Sequence, residues 1–106
     1  MAEKIVELSR KYEVPGIEPF DKVRLRAPTY REIFINGIGE PREVHIVAGQ
    51  PMVVTHYEAI DSHLQNVCLS PSYDALAGLE AHDAIEVANA VCDFFTQRPE
   101  LPKSPT

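Results

Sequence analysis

"DALAGLEAHDAIEVANAVCDFF", Asp74 to Phe95, is the stretch whose reading decides the fold. It is apolar at nearly every helical spacing, carries acids, and contains no Lys or Arg. Two stripes run along its last part: Ile85, Ala88, Cys92 and Phe95, and beside them Ala84, Val87, Val91 and Phe94. Together they predict a helix from about His82 to Gln97 that is apolar around most of its girth. Such a helix needs a cover on more than one side, and the rest of the chain has to supply it or leave it to a partner.

Upstream, Ile60, Leu64, Val67 and Cys68 fall at i, i+4, i+7 and i+8, which predicts a helix beginning near Tyr57. Ser70 before Pro71 reads as an N-cap and first-turn pair. A short helix to about Leu79 follows, with Leu76 and Leu79 inward. Before Tyr57 the period is two. "DKVRLRAP" alternates, with Val23, Leu25 and Ala27 on one side and Lys22, Arg24 and Arg26 on the other, and Pro28 ends that strand. In "PTYREIFINGIG", Thr29 and Glu32 have capping-box spacing ahead of a short helix to about Asn36. Ile33 and Phe34 are expected inward, and Gly37 is expected as its left-handed stop. "EVHIVAGQPMVVTHY" reads as a hairpin turning at Ala48 to Pro51, with Gly49 supplying a positive φ. With the Val23 strand it would form one three-stranded antiparallel sheet. Residues Ala2 to Glu13 fit a short peripheral helix with Ile5, Leu8 and Tyr12 on one side, stopped by Pro15, Gly16 and Pro19.

The expected architecture is therefore α+β: a small antiparallel sheet, strand plus β-hairpin, packed against a C-terminal helical bundle. Residues 1–19 form an N-terminal extension with the peripheral helix, 20–97 a single α+β domain, and 98–106 a disordered tail, because "RPELPKSPT" carries three prolines. A chain of 106 residues suits one domain with a modest core.

Charge is segregated along the chain. Residues 1–56 hold eight acids and eight bases; residues 57–97 hold Glu58, Asp61, Asp74, Glu80, Asp83, Glu86 and Asp93 with no Lys or Arg. An acidic half of this kind repels phosphate backbones and argues against nucleic-acid binding, while it suits a basic protein surface. It also serves simply as a solvated face. The charged N-terminus lacks a signal-peptide centre, and no apolar run approaches the roughly 20 residues of a membrane span, so the expected location is a cytoplasm.

Nothing here makes a catalytic site. His45 and His56 fall on the two hairpin strands, but no HxxxH, HExxH or CxxC spacing occurs and no metal is assigned. Cys68 and Cys92 lie in apolar helical patterns and read as inert small hydrophobes. "GIGEP", Gly37 to Pro41, lacks the third glycine and the lysine of a phosphate loop. The acids are too dispersed for an acid/base pair, and no cofactor is implied.

The order of these elements resembles a known family. A strand "VRLRAPT", a short capped helix, "GIGEP", a hairpin, and then "AIDSHLQNVCLSPSYDALAGLEAHDAIEVANAVCDFF" look like the tail assembly chaperones of long-tailed bacteriophages and prophages. The matching residues are Leu25, Arg26, Pro28, Thr29 and Glu32, then Asp74, Leu76, Leu79, Asp83, Ala84, Val91, Phe94 and Phe95, within a span of about Asp21 to Phe95. One departure stands out: where the family pattern has Ser or Thr before the last helix, this chain has Glu80 and Ala81, which weakens the helix start by about 1 kcal/mol.

The resemblance implies a non-enzymatic protein of the host cytoplasm, absent from the mature virion. It would bind the tape-measure protein and help tail-tube protein assemble around it; the wide apolar helix separately suggests a homo-oligomer as an alternative use of that face. The rival expectation is a small bacterial adaptor or regulatory domain unrelated to phage. In either case the wide C-terminal helix is the expected contact, with Asp83, Glu86, Val87, Val91, Asp93 and Phe94 toward the partner. Phe94 would face out and Phe95 into the core.

Overall fold

The computed structural model describes residues 3–96, so the expected tail over residues 98–106 lies outside the described residues. The fold is α+β. Strands β1 (Glu3–Val14), β2 (Ile17–Arg26) and β5 (Cys68–Ser70) form an antiparallel sheet in the order β1-β2-β5. Strands β3 (Arg42–Val47) and β4 (Gln50–Thr55) form a separate hairpin. Helices α1 (Tyr57–Val67) and α2 (Ala81–Thr96) cover one face of the larger sheet.

The N-terminal segment is the main correction: residues 3–14 are a strand, not a peripheral helix. Ile5, Leu8 and Tyr12 suit a helix by spacing, yet the inward residues are Val6, Leu8, Tyr12 and Val14, all at even positions. Only Arg10 breaks that two-residue period, and the ladder is irregular between Glu7 and Tyr12. Pro15 and Gly16 do not terminate a helix; they form the two-residue link between Val14 and Ile17. Gly16 stands at φ 83°, a conformation that a side chain would resist. Pro19, on β2, falls within the irregular part of the ladder, where a missing N–H costs least.

Beyond Pro19 the expectations hold more closely. Val23 and Leu25 are fully buried, and β2 ends at Arg26, just before Ala27 and Pro28. The hairpin does not join this sheet. The partner of Leu25 is Cys68, which lies in β5 rather than at the end of the Tyr57 helix. Likewise Ser70 closes β5 instead of capping a helix, and the next helical stretch is a tight turn from Tyr73 to Gly78.

The Thr29/Glu32 capping box is present in full. The Thr29 amide donates to Glu32 Oε1 at 3.0 Å, and the Glu32 amide donates to Thr29 Oγ1 at 3.3 Å. The segment that follows, Arg31–Ile35, is a widened helical turn closed by the Asn36 amide on the Arg31 carbonyl at 2.8 Å. Gly37 leaves it at φ 77°, as a left-handed stop. Phe34, expected inward, is 67% exposed and lies against Tyr30, while Ile33 is half-buried. Glu32 faces inward instead, because Arg26 on β2 holds its carboxylate through two bonds, at 3.0 and 2.6 Å. Thr29→Ala should lower stability by about 1 kcal/mol, the usual loss for one cap. Coincident denaturant midpoints of variant and parent would show that the cap contributes nothing.

The main core unites Val6, Val23 and Leu25 of the sheet with Ile60, Leu64 and Val67 of α1 and Val87, Ala90, Val91 and Cys92 of α2. A smaller cluster continues it, with Tyr12 stacked on Phe20 at 5.6 Å between ring centres and Ala75 beside them. The wide apolar girth of α2 is thus covered within the chain, by β1 on one side and α1 on the other.

Candidate protein-binding surfaces

The residues assigned to a partner-facing α2 divide. Val87 is 2% exposed and Val91 fully buried, so both serve the core. Asp83 is 1% exposed and is bound from three directions. Its Oδ1 accepts the Ser9 amide at 2.9 Å; its Oδ2 accepts the Ser9 hydroxyl at 2.8 Å and the Tyr12 hydroxyl at 2.5 Å. The Tyr12 bond foremost, and then the Ser9 bonds, hold this carboxyl below the usual aspartate range. Asp83 is therefore an internal anchor, not part of an acidic rim.

The same tyrosine also holds the residue that precedes α2. Tyr12 Oη accepts the Glu80 amide at 3.1 Å. That amide belongs to the residue that precedes α2 and is one of the orphan donors of a helix start; a Ser or Thr at position 80 would instead have accepted the amides of His82 or Asp83. Arg10, two residues earlier on β1, donates to Glu80 at 2.6 Å. The first strand thus satisfies one orphan donor at the start of the last helix, though not the amides that the missing cap would have held.

Of the remaining expected contacts, Glu86 is exposed and Asp93 half-buried. Both line a shallow cleft between α2 and β1 that also contains Lys4. Phe94 is half-buried against the main core, with the Lys4 ammonium 5.5 Å from its ring centre. Phe95 is half-buried beside His63, with ring centres 5.2 Å apart. Neither phenylalanine presents the open aromatic face expected of Phe94. Ile85, the first residue of one of the two apolar stripes, is 60% exposed.

A groove that the sequence did not reveal lies on the other side of α2. It is a cleft of about 320 Å³ between α1, the Tyr73–Gly78 turn and the start of α2. Leu64, Leu76, Leu79 and Val87 form its apolar walls, with Ala77 and Ala84 exposed along it. Asp61 and Asp74 are the charged residues in its lining. Asp61 is held in place by the Tyr73 hydroxyl at 2.5 Å and by Gln65 at 3.1 Å, which leaves Asp74 as its unbonded acid among the described residues. Leu76 and Leu79, expected to be core, are half-buried because they form this wall.

The histidine pair is real but small. Glu43 Oε2 meets His45 Nε2 at 2.9 Å and His56 Nε2 at 3.2 Å, and chiefly through His45 its carboxyl is held below the usual range. Among the described residues no group of three or more His, Cys, Asp or Glu side chains is placed to hold a metal ion. His63 is fully buried, with Nε2 donating to the Gly39 carbonyl at 2.8 Å. Gly37 to Pro41 is the loop that receives this bond, and Pro41 is fully buried.

Both cysteines are free thiols. Cys92 is buried; Cys68 is half-buried, with Sγ 3.0 Å from the Pro71 carbonyl. Burial pushes both thiols up, away from the reactive thiolate. A thiol reagent should therefore modify native protein slowly and denatured protein at once. Rapid native labelling of either residue would place it at the surface.

Among the described residues no helix is long and apolar enough to cross a membrane. Comparison with known proteins gives no match to any family model, to any curated protein or to any solved structure.

Proposed function

We propose that the protein is a non-catalytic tail assembly chaperone of the long-tailed phage or prophage type. In this reading it holds a helix of the tape-measure protein in the groove between α1 and α2. The observation that carries the reading is that groove, an apolar slot with Asp61 and Asp74 beside it and no Lys or Arg in its lining. A slot of this kind suits an amphipathic helix with leucine-type anchors and basic flanks. The resemblance of Leu25, Arg26, Pro28, Thr29 and Glu32 and of the Asp74–Phe95 stretch to the chaperone pattern supplies the identity of the client. The work is done in the host cytoplasm, before the virion is complete.

The test uses the tape-measure gene that this reading expects beside the coding sequence. Co-expression should raise the soluble fraction of the tape-measure protein several-fold. Ala84→Arg, which lengthens an exposed groove residue and gives it the sign of the client, should abolish that gain while thermal unfolding of the variant stays close to the parent. An unchanged gain in Ala84→Arg would remove the groove from the mechanism. Binding of basic helices with no effect on a tape-measure protein would favour an adaptor outside the phage setting.

A further inference from the structure

The β3–β4 hairpin stands apart from the groove and from both cores. Its base is fixed, since the His56 amide donates to the Pro41 carbonyl at 2.8 Å and Arg42 reaches Asn89 on α2 at 3.2 Å. Its outer half is bare on both faces. Val44 is 65% exposed, Ile46 70%, Val53 59% and Met52 51%. A two-stranded ribbon alone is marginal in water, and one so apolar on its surface is a contact site or a hazard.

Three features identify the occupant. First, residues 44–55 contain no Asp, Glu, Lys or Arg, while the chain carries a net charge of −6. Two copies repel through their acidic helical halves, residues 57–97, and meet at least cost here. Second, the two edges of the ribbon differ. The two-residue turn at Ala48 and Gly49 makes Val47 and Gln50 a hydrogen-bonded pair, so Arg42, Val44 and Ile46 direct their backbone groups away from β4. On β4 the residues that point outward in the same way include Pro51, which has no N–H to offer. Third, no strand pairs with the outer edge of β3 among the described residues.

We infer that the protein forms a two-fold dimer in which β3 of one copy pairs antiparallel with β3 of the other, joining two hairpins into a four-stranded sheet. Val44 of each copy then stands opposite Ile46 of its partner, and the apolar ribbons support each other. Because Pro51 blunts the other edge, pairing closes at two copies and does not extend into a fibre.

Analytical ultracentrifugation of the full chain across a concentration series tests this. The parent should sediment as a dimer. Ile46→Lys should weaken dimerisation by at least about tenfold, since it places a charge against the partner's Val44. Because the hairpin lies outside both cores, thermal unfolding of this variant should stay near the parent's. Mixing Ile46→Lys with Val44→Glu should restore dimers as a heterodimer, which a merely damaged hairpin would not do. Ala84→Arg should leave the dimer intact, so failure of the groove reading and failure of this one are separable. A monomeric parent at about 100 µM, or a dimer untouched by Ile46→Lys, would overturn the inference. So would a hairpin that is covered only when the client is present.

Discussion

Asp83→Ala is expected to cost about 2–3 kcal/mol, a large fraction of the stability of a domain of this size. The substitution leaves three donors without their acceptor: the Ser9 amide, the Ser9 hydroxyl and the Tyr12 hydroxyl. It also frees the hydroxyl that holds the Glu80 amide, so the start of α2 loosens together with the edge of the sheet. Asp83→Asn keeps the size and one acceptor oxygen, and should lose roughly half as much. Tyr12→Phe removes one bond to Asp83 and the acceptor for Glu80 while keeping the stacking on Phe20, and should fall between the parent and Asp83→Ala. Denaturant unfolding of the three variants checks the order. If Asp83→Ala unfolds at the parent's midpoint, the carboxylate does not hold β1 to α2.

The second large effect is in acid. The Arg26 guanidinium, and then the Thr29 amide, hold the Glu32 carboxyl at about 2, against an ordinary value near 4.5. A carboxyl with a lowered folded value contributes stability above its ordinary value and loses it as pH falls toward the folded one. Its contribution is about 3 kcal/mol at neutral pH, and the side chain is only 10% exposed, so little is lost to solvent screening. The parent should therefore lose stability steeply between pH 4.5 and 2. Glu32→Gln should be less stable at pH 7 and show a flatter slope across that window. Arg26→Met should resemble it at pH 7, with a further loss from the Asn66 carbonyl, which accepts from the same guanidinium at 2.9 Å. Parallel pH profiles for parent and Glu32→Gln would show that this pair does not set the acid limit.

Much of the fold was legible in the sequence wherever a local rule had no rival. The capping box at Thr29 and Glu32, the alternation of Val23 and Leu25, the turn at Gly49 and the period of Ile60, Leu64 and Val67 all specify their elements from nearest neighbours. The first strand was hidden because Ile5, Leu8 and Tyr12 mimic a helical face, while Arg10 interrupts the true period of two. Asp83 looked like a solvated acid because its partners, Ser9 and Tyr12, lie more than 70 residues away, and nothing local marks a carboxylate that will be enclosed. The excess apolar width of α2 was read as a need for cover, and that cover was expected from a partner chain. The cover is α1 on one side and β1 on the other, and β1 had been read as a peripheral helix. The groove escaped notice because it belongs to no single element. Leu64, Leu76 and Val87 come together only once α1, the Tyr73–Gly78 turn and α2 are docked.

The bond between β1 and α2 also sets an order of events during synthesis. β1 and β2 are neighbours joined by a two-residue turn, and they can pair as soon as both leave the ribosome. The face they bury, with Val6, Val23 and Leu25, is covered first by α1 and stays open on the β1 side until α2 follows. A nascent chain halted before Asp83 holds Ser9 and Tyr12 with nothing to receive their protons. Contacts this distant in sequence are slow to close. Completion of the domain therefore waits on its last helix, and a stalled or shortened product would display an open sheet to the cell's proteases and holdases.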